Sequence, residues 1–540
     1  MGFKSCEVEK SNTKAKLLSL RIKGKSLYVN AQCKSEGRSW VGFCLAYKHK
    51  IPEDREAYLI DFQSKTEDKK NIHASAVVDL DLFPFRSANW SLYLVYEEEG
   101  NMYGCRLIRE KGRQRKFKDF LFDQCHKRGD YIIFPYYTKS GIVNMRYREQ
   151  NRYDGNDRKF KEIIARIIYA FGRGHYKKKK IFLIHEKRCS KAQDNGYYLF
   201  MHAMQNNVEK TIGASIYYVI EKDAPDYKKI CQYDRNIINF MSIKYMVYLL
   251  ACKALISSES RNHAYVWQTR ESLIEPCIEK KKHVFLQHGI LALKQLGSQF
   301  FAKNMKSKLV TVSSIKEANI VHDFLGFDDS AIADTGYARF DALEDVSSDY
   351  KEILLMPTFR PWVFGVERDV FVNSDYFDRY MEFVNSPRLA ELLENNGITL
   401  NLYQHPSIAE HTDAFSSNCQ NVRIVHNGEI PLDDLMMRCS LLITDYSSIV
   451  WDVLYMGKPT VFYQYDREKY DEVWGSYIDL KTELPGENAT DCDQLVDLIE
   501  SYINTGFKMK EAYEPMRKAY YSHLDKNNCK RIWEAIAQKI

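Results

Sequence analysis

Closely spaced cysteines are absent from this sequence, although thirteen cysteines are scattered along its 540 residues. No two of them form the CxxC motif on which finger-type and ribbon-type zinc sites depend. An odd and dispersed set of cysteines is typical of reduced, buried thiols in a cytosolic protein. We therefore expect reduced cysteines and no zinc site.

Long apolar runs are absent as well. The longest, MVYLLAC at residues 246–252, lies between Lys244 and Lys253. A helix that spans a membrane needs about 20 predominantly apolar residues, and the first residues carry no signal-peptide pattern. We expect that any contact of this protein with a membrane is made from one side.

The composition that remains is that of an ordinary globular protein, with 45% hydrophobic and 28% charged residues. The net charge of +6 is small for this length. Such a charge does not require nucleic acid, but it suits phosphate-bearing partners or an anionic membrane face. The length predicts about three domains.

Residues 1–150 are predicted to form an all-β accessory domain. Short alternating or aromatic runs are separated there by turn-like or charged stretches, at the spacing expected of an antiparallel sandwich. These runs are SLYVNAQCK (26–34), WVGFCLAYKHK (40–50), EAYLIDF (56–62), ASAVVDLDLF (74–83) and WSLYLVYEEE (90–99). No cluster in this region has a catalytic pattern, so we expect a binding or spacing role.

A polar linker at residues 148–159 precedes a helical pattern that has two interpretations. One face of this helix carries Ile163, Ile164, Ile167, Ile168 and Phe171, and Lys177 to Lys180 follow. The helix could lie at a membrane surface with the lysines as a basic patch. Alternatively it docks on a core, which we favour because apolar stripes usually face one.

From Lys180 onward, predicted strands alternate with predicted helices. The strands lie at 181–186, 214–220, 254–259, 283–287 and 309–314, and then at 352–358, 398–406, 421–427, 441–445 and 459–465. Such alternation predicts parallel sheets with helices on both faces. The predicted fold class is α/β, with doubly wound domains at 151–345 and 346–540 that face each other across a cleft. Residues 491–540 are expected to be helical and to pack back across the pair.

The segment LLITDYSSIVWDVLYMGKPTVFYQYD, residues 441–466, is the clearest motif. A buried strand leads into a tight turn, Asp445 to Ser448, and a short helix follows. Two serine hydroxyls and free backbone N–H groups then lie above the carboxyl end of a parallel strand, where anions bind. Ser447 or Ser448 could instead only cap the helix, but the two roles are compatible because a cap needs one hydroxyl.

His288 and Gly289 occupy a similar place in the first α/β domain, between a predicted strand and a predicted helix that runs toward Lys294 and Gly297. Glycine allows another molecule to approach the backbone closely. Histidine, with a pKa of about 6.5, can take a proton from a hydroxyl nucleophile. A lone histidine is more often satisfied by a backbone carbonyl, but its place opposite a phosphate-binding turn favours the role of a base.

Further polar residues follow predicted strands: Arg339, Thr358, Arg360 and His405. Together with the residues above, they place His, Arg, Ser and Thr around one cleft. No acidic cluster accompanies them, whereas a metal-dependent phosphoryl transferase would need Asp or Glu ligands. We therefore predict neither a metal site nor a cofactor.

These motifs resemble the CDP-glycerol/CDP-ribitol polyolphosphotransferase family of bacterial teichoic acid synthesis. The matching pieces occur in family order over about residues 180–490. They are EKRCSKAQDNGYYLF (186–200), YYVIEKDAPDY (217–227), QHGILALKQLG (287–297), TGYARFDAL (335–343), MPTFR (356–360), HP (405–406), TDYSSIVWDVLYMGKPTVFYQYD (444–466) and TELPG (482–486). Phe359, Pro361 and Gln404 depart from the residues that are common in the family.

The resemblance implies a GT-B fold and transfer of a polyol phosphate from a CDP-activated donor to a hydroxyl of a lipid-linked chain, with release of CMP. His288 matches the proposed base of the family. The residues implied on the donor side are His405, which we also predict to be catalytic, Ser447, Ser448, Arg339, Thr358, Arg360 and Asp445. Gly289 and Lys294 are expected on the acceptor side.

The implied partners are CDP-glycerol or CDP-ribitol, a lipid-linked polyol-phosphate or disaccharide acceptor, and the inner face of the bacterial cell membrane. The implied location is cytoplasmic and peripheral to that membrane; no nucleic acid is expected, and a homo-oligomer is left open. Two alternatives remain at this stage. One is a GT-B glycosyltransferase that uses a nucleotide sugar, and the other is a non-catalytic polymer-binding scaffold.

Overall fold

The computed structural model describes residues 3–47, 56–68, 70–109, 124–138, 140–266 and 271–540. The chain divides into two compact units. The first comprises Met1–Ala165 and Val266–Pro276, and the second comprises Arg166–Tyr265 and Cys277–Ile540. The domain boundaries at 150 and 345 stay predictions.

The first unit contains a twelve-stranded sheet in its described part. Its strands are β1 (Lys4–Ser5), β2 (Glu9–Lys23), β3 (Ser26–Lys34), β4 (Ser39–Tyr47), β5 (Glu56–Ile60), β6 (Ser64–Glu67), β7 (Asn71–Asp79), β8 (Ala88–Glu98), β9 (Asn101–Ile108), β10 (His126–Arg128), β11 (Tyr131–Tyr137) and β12 (Val143–Glu149). The main order is β1-β5-β4-β8-β9-β2-β3-β7-β6, and β12, followed by β11 and β10, pairs with β8. Alternate residues point into one core, as Leu27, Val29 and Ala31 do. The β-rich N-terminal region is therefore confirmed; residues 48–50 of one predicted run lie outside the described residues.

Helix α1 (Asn156–Lys178) begins inside the predicted linker. The first half of the helix buries the polar side chains of Arg158 and Glu162, which form an ion pair. Glu162 also accepts a hydrogen bond from the backbone N–H of Leu273 at 2.6 Å. Its second half is open, since Ile167 is 52% exposed and Phe171 is 92% exposed. The expectation that the apolar stripe faces a core is thus wrong for this half of the helix.

The second unit contains two parallel sheets. The seven-stranded sheet has β13 (Phe182–His185), β14 (Ile216–Ile220), β15 (Ile237–Asn239), β16 (Ala254–Ser257), β17 (Lys282–Phe285), β18 (Leu309–Val312) and β19 (Ile332–Asp334), in the order β15-β14-β13-β16-β17-β18-β19. The six-stranded sheet has β20 (Glu352–Met356), β21 (Thr399–Tyr403), β22 (Val422–Val425), β23 (Cys439–Thr444), β24 (Thr460–Tyr463) and β25 (Glu487–Ala489), in the order β22-β21-β20-β23-β24-β25. The strand order reverses between β13 and β16 and between β20 and β23. Doubly wound sheets bind ligands beyond the carboxyl ends of the strands at such reversals.

Helices connect these strands. They are α2 (Asn195–Gln205), α3 (Val208–Ile212), α4 (Ile243–Ala251), α5 (Glu275–Ile278), α6 (Ala302–Met305), α7 (Ile315–Asp323), α8 (Arg368–Val372), α9 (Asp375–Val384), α10 (Pro387–Asn396), α11 (Leu432–Arg438), α12 (Ile449–Tyr455), α13 (Arg467–Val473), α14 (Cys492–Asn504), α15 (Glu514–Tyr520) and α16 (Asn528–Lys539). The last helix returns to the seven-stranded sheet, where Ile532 and Trp533 join its core. Within the described ranges, no helix combines the length and apolar character that crossing a membrane requires.

Candidate active site

The loop that follows β17 carries His288 and lies at the carboxyl edge of the seven-stranded sheet. Residues 287–297 are irregular, so the helix predicted to begin after Gly289 is wrong. Buried Glu317 holds the loop by accepting a hydrogen bond from the N–H of Leu291 at 2.9 Å. Further along, the N–H of Gln295 donates to the carbonyl of Gly475 at 2.9 Å. The loop is therefore fixed by tertiary contacts instead of helical hydrogen bonds.

His288 is oriented by an aspartate. Its Nδ1 lies 2.7 Å from Asp194 Oδ2, and its Nε2 lies 3.8 Å from Glu259 Oε1, which is too far for a hydrogen bond. A neutral ring that donates from Nδ1 keeps the lone pair of Nε2 available. Burial lowers the pKa of His288, but the hydrogen bond to Asp194 and the charges of Asp194 and Glu259 raise it above its ordinary value overall. The side chain is still 44% exposed, so a substrate can reach it.

Asp194 is held in place from below. It caps α2 by accepting a hydrogen bond from the N–H of Asn195 at 2.7 Å. Its own N–H donates to buried Glu186 at 3.1 Å, and the N–H of Tyr197 donates to the same carboxylate at 2.6 Å. Burial raises the pKa of Asp194, but the hydrogen bond to His288 and nearby positive charges outweigh this effect and lower it to about 2. Asp194 is therefore ionised while it orients His288.

Arg339 connects the two sheets. Its Nε and Nη2 donate to Asp452 on α12, beyond the six-stranded sheet, at 2.5 and 2.8 Å. Its Nη1 donates to Asp194 at 3.3 Å and also to the carbonyl of His288. The side chain of Arg339 is only 12% exposed, so its positive charge is largely balanced by these two aspartates. The arginine thus links the histidine loop to the helix that follows the Asp445–Ser448 turn.

Gly289 lies directly against that turn. A Cβ atom at this position would be 3.2 Å from Ser448 Oγ and 3.4 Å from Arg339 Nη2. The structure therefore brings His288, Gly289, Arg339 and Ser448 together, and their roles stay predictions. The hydroxyl of exposed Ser448 makes no cap hydrogen bond, and Ser447 Oγ accepts only a long one from the N–H of Ile449 at 3.5 Å.

Beneath the turn lies a buried ion network. Arg360 is wholly buried and donates to Asp445 at 2.8 Å and to Asp466 at 2.6 Å. Asp445 also accepts hydrogen bonds from the backbone N–H groups of Thr358 at 2.9 Å and Tyr446 at 2.6 Å. Neither Arg360 nor Asp445 presents its charge at the surface. Their contacts shape the turn from below.

Among the buried polar atoms near this network that have no hydrogen-bond partner in the described part of the chain, two follow strands of the six-stranded sheet. They are the hydroxyl of Thr358 and the amide nitrogen of Gln404. Buried polar groups are nearly always paired, so such atoms call for an explanation. Both follow strands of the six-stranded sheet at its carboxyl edge, where a ligand is expected.

His405, the second predicted histidine, has a different environment. Its Nδ1 accepts a hydrogen bond from the N–H of Ser407 at 3.1 Å, and its ring lies 4.8 Å from that of Phe359. Burial, together with the positive charge of Lys294, lowers the pKa of His405 to about 4. The ring is therefore neutral at physiological pH. Because Nδ1 accepts, its single proton is on Nε2, which can donate.

Lys294 lies among aromatic rings of the six-stranded half. Its ammonium is 3.3 Å from the centroid of the Trp474 ring and 5.3 Å from that of Phe359. This position is close to His405, although the sequence interpretation assigned Lys294 to the acceptor side. Cation–π contact of this kind holds the lysine over the rings.

Sequence reasoning missed Asp194, Glu259 and Asp452. Asp194 stands before Asn195 and Gly196, and this pattern of an N-cap residue before a helix was available as a signal. Glu259 and Asp452 had no local signal because their partners are distant in the sequence. In the described part of the chain, no group of three or more His, Cys, Asp or Glu side chains is arranged to hold a metal ion.

Two doubly wound sheets, with His288 at the carboxyl edge of one and the Asp445–Ser448 turn at the carboxyl edge of the other, define a GT-B-like protein. The profile of the family described as CDP-Glycerol:Poly(glycerophosphate) glycerophosphotransferase matches residues 167–538. This chain belongs to that family. The resemblance found in the sequence motifs is thereby confirmed.

Named relatives agree with this assignment. The chain is 27% identical over 397 residues to the minor teichoic acid biosynthesis protein GgaB of Bacillus subtilis, across 70% of this chain and 42% of GgaB. It is 22% identical over 433 residues to the teichoic acid ribitol-phosphate polymerase TarL of Staphylococcus aureus, across 75% of this chain and 71% of TarL. The chain thus spans less than half the length of GgaB.

A solved structure of the wall teichoic acid polymerase TagF, a variant with CDPG, has the same fold. The TM-score is 0.50 with 16% identity, and the match covers 71% of this chain and 98% of TagF. The predicted fold class, an α/β pair preceded by a β-rich region, is confirmed.

Proposed function

We propose that this protein transfers glycerol phosphate or ribitol phosphate from a CDP-activated donor to a hydroxyl of a lipid-linked acceptor, with release of CMP. The product is a teichoic acid or a related cell-surface polymer. Family membership supports the reaction class. The observation that carries the proposal is His288, which is held by Asp194 and lies next to Ser448 across Gly289.

The reaction needs a base for the attacking hydroxyl. His288 Nε2 takes its proton, and the acceptor oxygen forms a bond to the phosphorus that carries the polyol. The bond from that phosphorus to the bridging oxygen breaks, and CMP leaves with the electron pair. Ionised Asp194 stabilises the imidazolium that forms. The proton then passes to solvent, which restores His288.

Negative charge on the phosphoryl oxygens needs fixed donors. Ser447, Ser448 and the neutral His405, with its proton on Nε2, are suited to donate hydrogen bonds to the pyrophosphate. The free hydroxyl of Thr358 is a further donor on the same edge. Arg360 and Asp445 act through the turn they hold, and Arg339 keeps the histidine loop beside it. Lys294 supplies a positive charge near His405.

The first test is CMP release from CDP-glycerol and from CDP-ribitol, each with a synthetic lipid-linked acceptor. We expect CMP from one donor, growth of the acceptor by mass spectrometry, and a kcat that is lower by roughly 10²–10⁴ in His288→Ala. The matched control is His322→Ala, since His322 is an exposed histidine on α7. Transfer of a sugar would indicate a glycosyltransferase, and no product from any nucleotide donor would favour the scaffold.

Donor binding is tested by the serine pair. Ser447→Ala with Ser448→Ala is expected to weaken CDP-polyol binding measured by calorimetry. The control replaces Ser347 and Ser348, another adjacent pair with one half-buried and one exposed member. Equal donor affinity in both double variants would remove the turn from the donor site.

We also propose that the second half of α1 lies on the inner face of the cell membrane as a peripheral contact. Ile167, Ile168 and Phe171 are exposed there, and Lys177 and Lys178 end the helix. Apolar side chains can enter the headgroup region while the lysines contact anionic lipids. The lipid-linked acceptor of the proposed reaction would then be within the same surface layer.

Flotation with anionic liposomes tests the membrane contact. Ile167→Glu is expected to reduce co-flotation strongly, and Ile315→Glu is the control because Ile315 is 64% exposed on another helix of the same unit. No binding of the unaltered protein at low salt, or equal flotation of the two variants, would contradict it.

A further inference from the structure

The outer face of the β-rich unit carries an ordered polar surface. Three cross-strand rows, which we call the hydroxyl face, run across β2, β3, β7 and β6. The rows are Lys16–Gln32–His73–Thr66, Ser19–Asn30–Ser75–Ser64 and Arg21–Tyr28–Val77. Directly paired residues share one side of a sheet, so these side chains form a continuous surface. None of the eleven is a carboxylate.

The middle row is built from small hydrogen-bonding groups. Asn30 Nδ2 donates to Ser19 Oγ at 2.7 Å, and the hydroxyls of Ser64 and Ser75 lie 2.6 Å apart. These bonds orient the side chains but leave hydroxyl and amide groups with further donors and acceptors that can bind another molecule. A shallow depression of about 340 Å³ lies over this row and the neighbouring His73.

Positive charge and apolar surface flank the depression. Exposed Lys16 lies in the row on one side, and exposed Arg21 lies in the row on the other. Tyr28 is 38% exposed and Leu18 is 40% exposed. Successive rows are roughly 7 Å apart along a strand. Lys16 and Arg21 therefore lie on opposite sides of the row of hydroxyls, separated from each other by about two row spacings.

We propose that the hydroxyl face is a second binding site, which takes a phosphodiester-linked polyol chain. Serine hydroxyls and the Asn30 amide match the hydroxyls of such a chain, and Lys16 and Arg21 match its phosphates. The ring of Tyr28 offers an apolar surface to its carbon backbone. The choice of polymer rests on the proposed function, but the site itself takes no part in the transfer. It would retain the acceptor or product between turnovers.

Binding is measured on the full chain without nucleotide, with labelled poly(glycerol phosphate) and poly(ribitol phosphate) as probes. We expect Lys16→Glu with Arg21→Glu to weaken binding of at least one probe about ten-fold or more. The control makes the same charge change at Lys4 and Lys127, which are exposed on other strands of the sheet. Equal affinities in these two double variants would overturn the proposal.

A second variant separates recognition of the polyol from charge. Ser19→Ala, Ser64→Ala and Ser75→Ala together should weaken the polyol-phosphate probes several-fold and leave inorganic polyphosphate binding unchanged. An unchanged affinity for both kinds of probe would mean a simple polyanion surface and would sink the idea. So would equally tight binding of neutral dextran.

The proposed function and this site can fail separately. Probe binding is read without a donor, and CMP release on a short acceptor should be the same in all these variants. Binding without CMP release from any donor would reject the transferase and keep the site. Transfer activity, combined with probe binding that the variants do not change, would reject the second binding site and keep the transferase.

Discussion

The two parallel sheets each present the same dipeptide just beyond the carboxyl end of a strand, but the two histidines have opposite hydrogen-bonding roles. Gln287-His288 follows a strand of the seven-stranded sheet, and Gln404-His405 follows a strand of the six-stranded sheet. His288 donates from Nδ1 to Asp194, whereas His405 accepts at Nδ1 from the N–H of Ser407. The neutral rings are therefore opposite tautomers.

The pKa values of the two histidines also differ, in opposite directions from the ordinary value. Carboxylates raise the pKa of His288 overall against the effect of burial, and burial with the charge of Lys294 lowers that of His405 to about 4. One ring can accept a proton at Nε2 and the other can only donate a hydrogen bond there. The chemistry of each histidine is thus set by its neighbours and not by its place in the fold.

Substitution by asparagine separates these roles most strongly. Asparagine can donate a hydrogen bond but cannot take up a proton at neutral pH. We expect His288→Asn to lower kcat by roughly 10²–10⁴, as far as His288→Ala does. His405→Asn should retain more activity than His405→Ala. If asparagine and alanine caused equal losses of activity at His405 as well as at His288, the assignment of a base and a donor would be contradicted.

Asp194→Asn should make the two histidines more alike. Without the aspartate, the pKa of His288 falls, by roughly 1–3 units for loss of a close opposite charge. The neutral base then exists at lower pH, so the acidic limb of kcat/KM moves to lower pH while the plateau falls. The control is Asp491→Asn, which alters the N-cap of α14 in the same way. An unmoved limb would remove Asp194 as the positioning residue.

Glu259→Gln should act in the same direction with a smaller effect. Glu259 is 3.8 Å from Nε2 and its charge raises the pKa of His288 without a hydrogen bond. We expect a shift of the acidic limb below about 1 unit. A larger shift than that of Asp194→Asn would reverse the order of the two carboxylates.

The smallest change concerns His405. Lys294→Met removes a positive charge that lowers the pKa of this ring, so the value should rise from about 4. Titration by NMR with labelled histidine would measure it. Lys316→Met, in which the lysine lies 4.8 Å from the Tyr520 ring centroid, is the control. A fall, or no change, would mean that Lys294 does not act on His405.

Local patterns in the sequence predicted ten of the thirteen strands of the two sheets, because buried parallel strands are short apolar runs between polar turns. The three edge strands β15, β19 and β25 were missed, since each is only three residues long. The prediction of a helix after Gly289 failed for a specific reason. Ile290 and Leu293 pack into the core beside the six-stranded sheet, while Leu291 packs beside the seven-stranded one. Its apolar residues are thus explained by burial between two sheets and not by a helical face.

Long-range pairs could not be predicted. Asp194 is 94 positions from His288, and Asp452 is 113 positions from Arg339. Nothing in either neighbourhood specifies the partner, because the sheets bring them together. The turn and helix motif around Ser447 and Ser448 could be predicted more easily, since all its parts are contiguous in the sequence.

The return of α16 to the seven-stranded sheet has a consequence for synthesis of the chain. The last strand of that sheet ends at Asp334, but Ile532 and Trp533 of its core are translated much later. At about 5–20 residues per second, the interval is roughly 10–40 s. During this time one flank of the sheet lacks its covering helix. The half that carries His288 therefore completes its core only after the other half has been made.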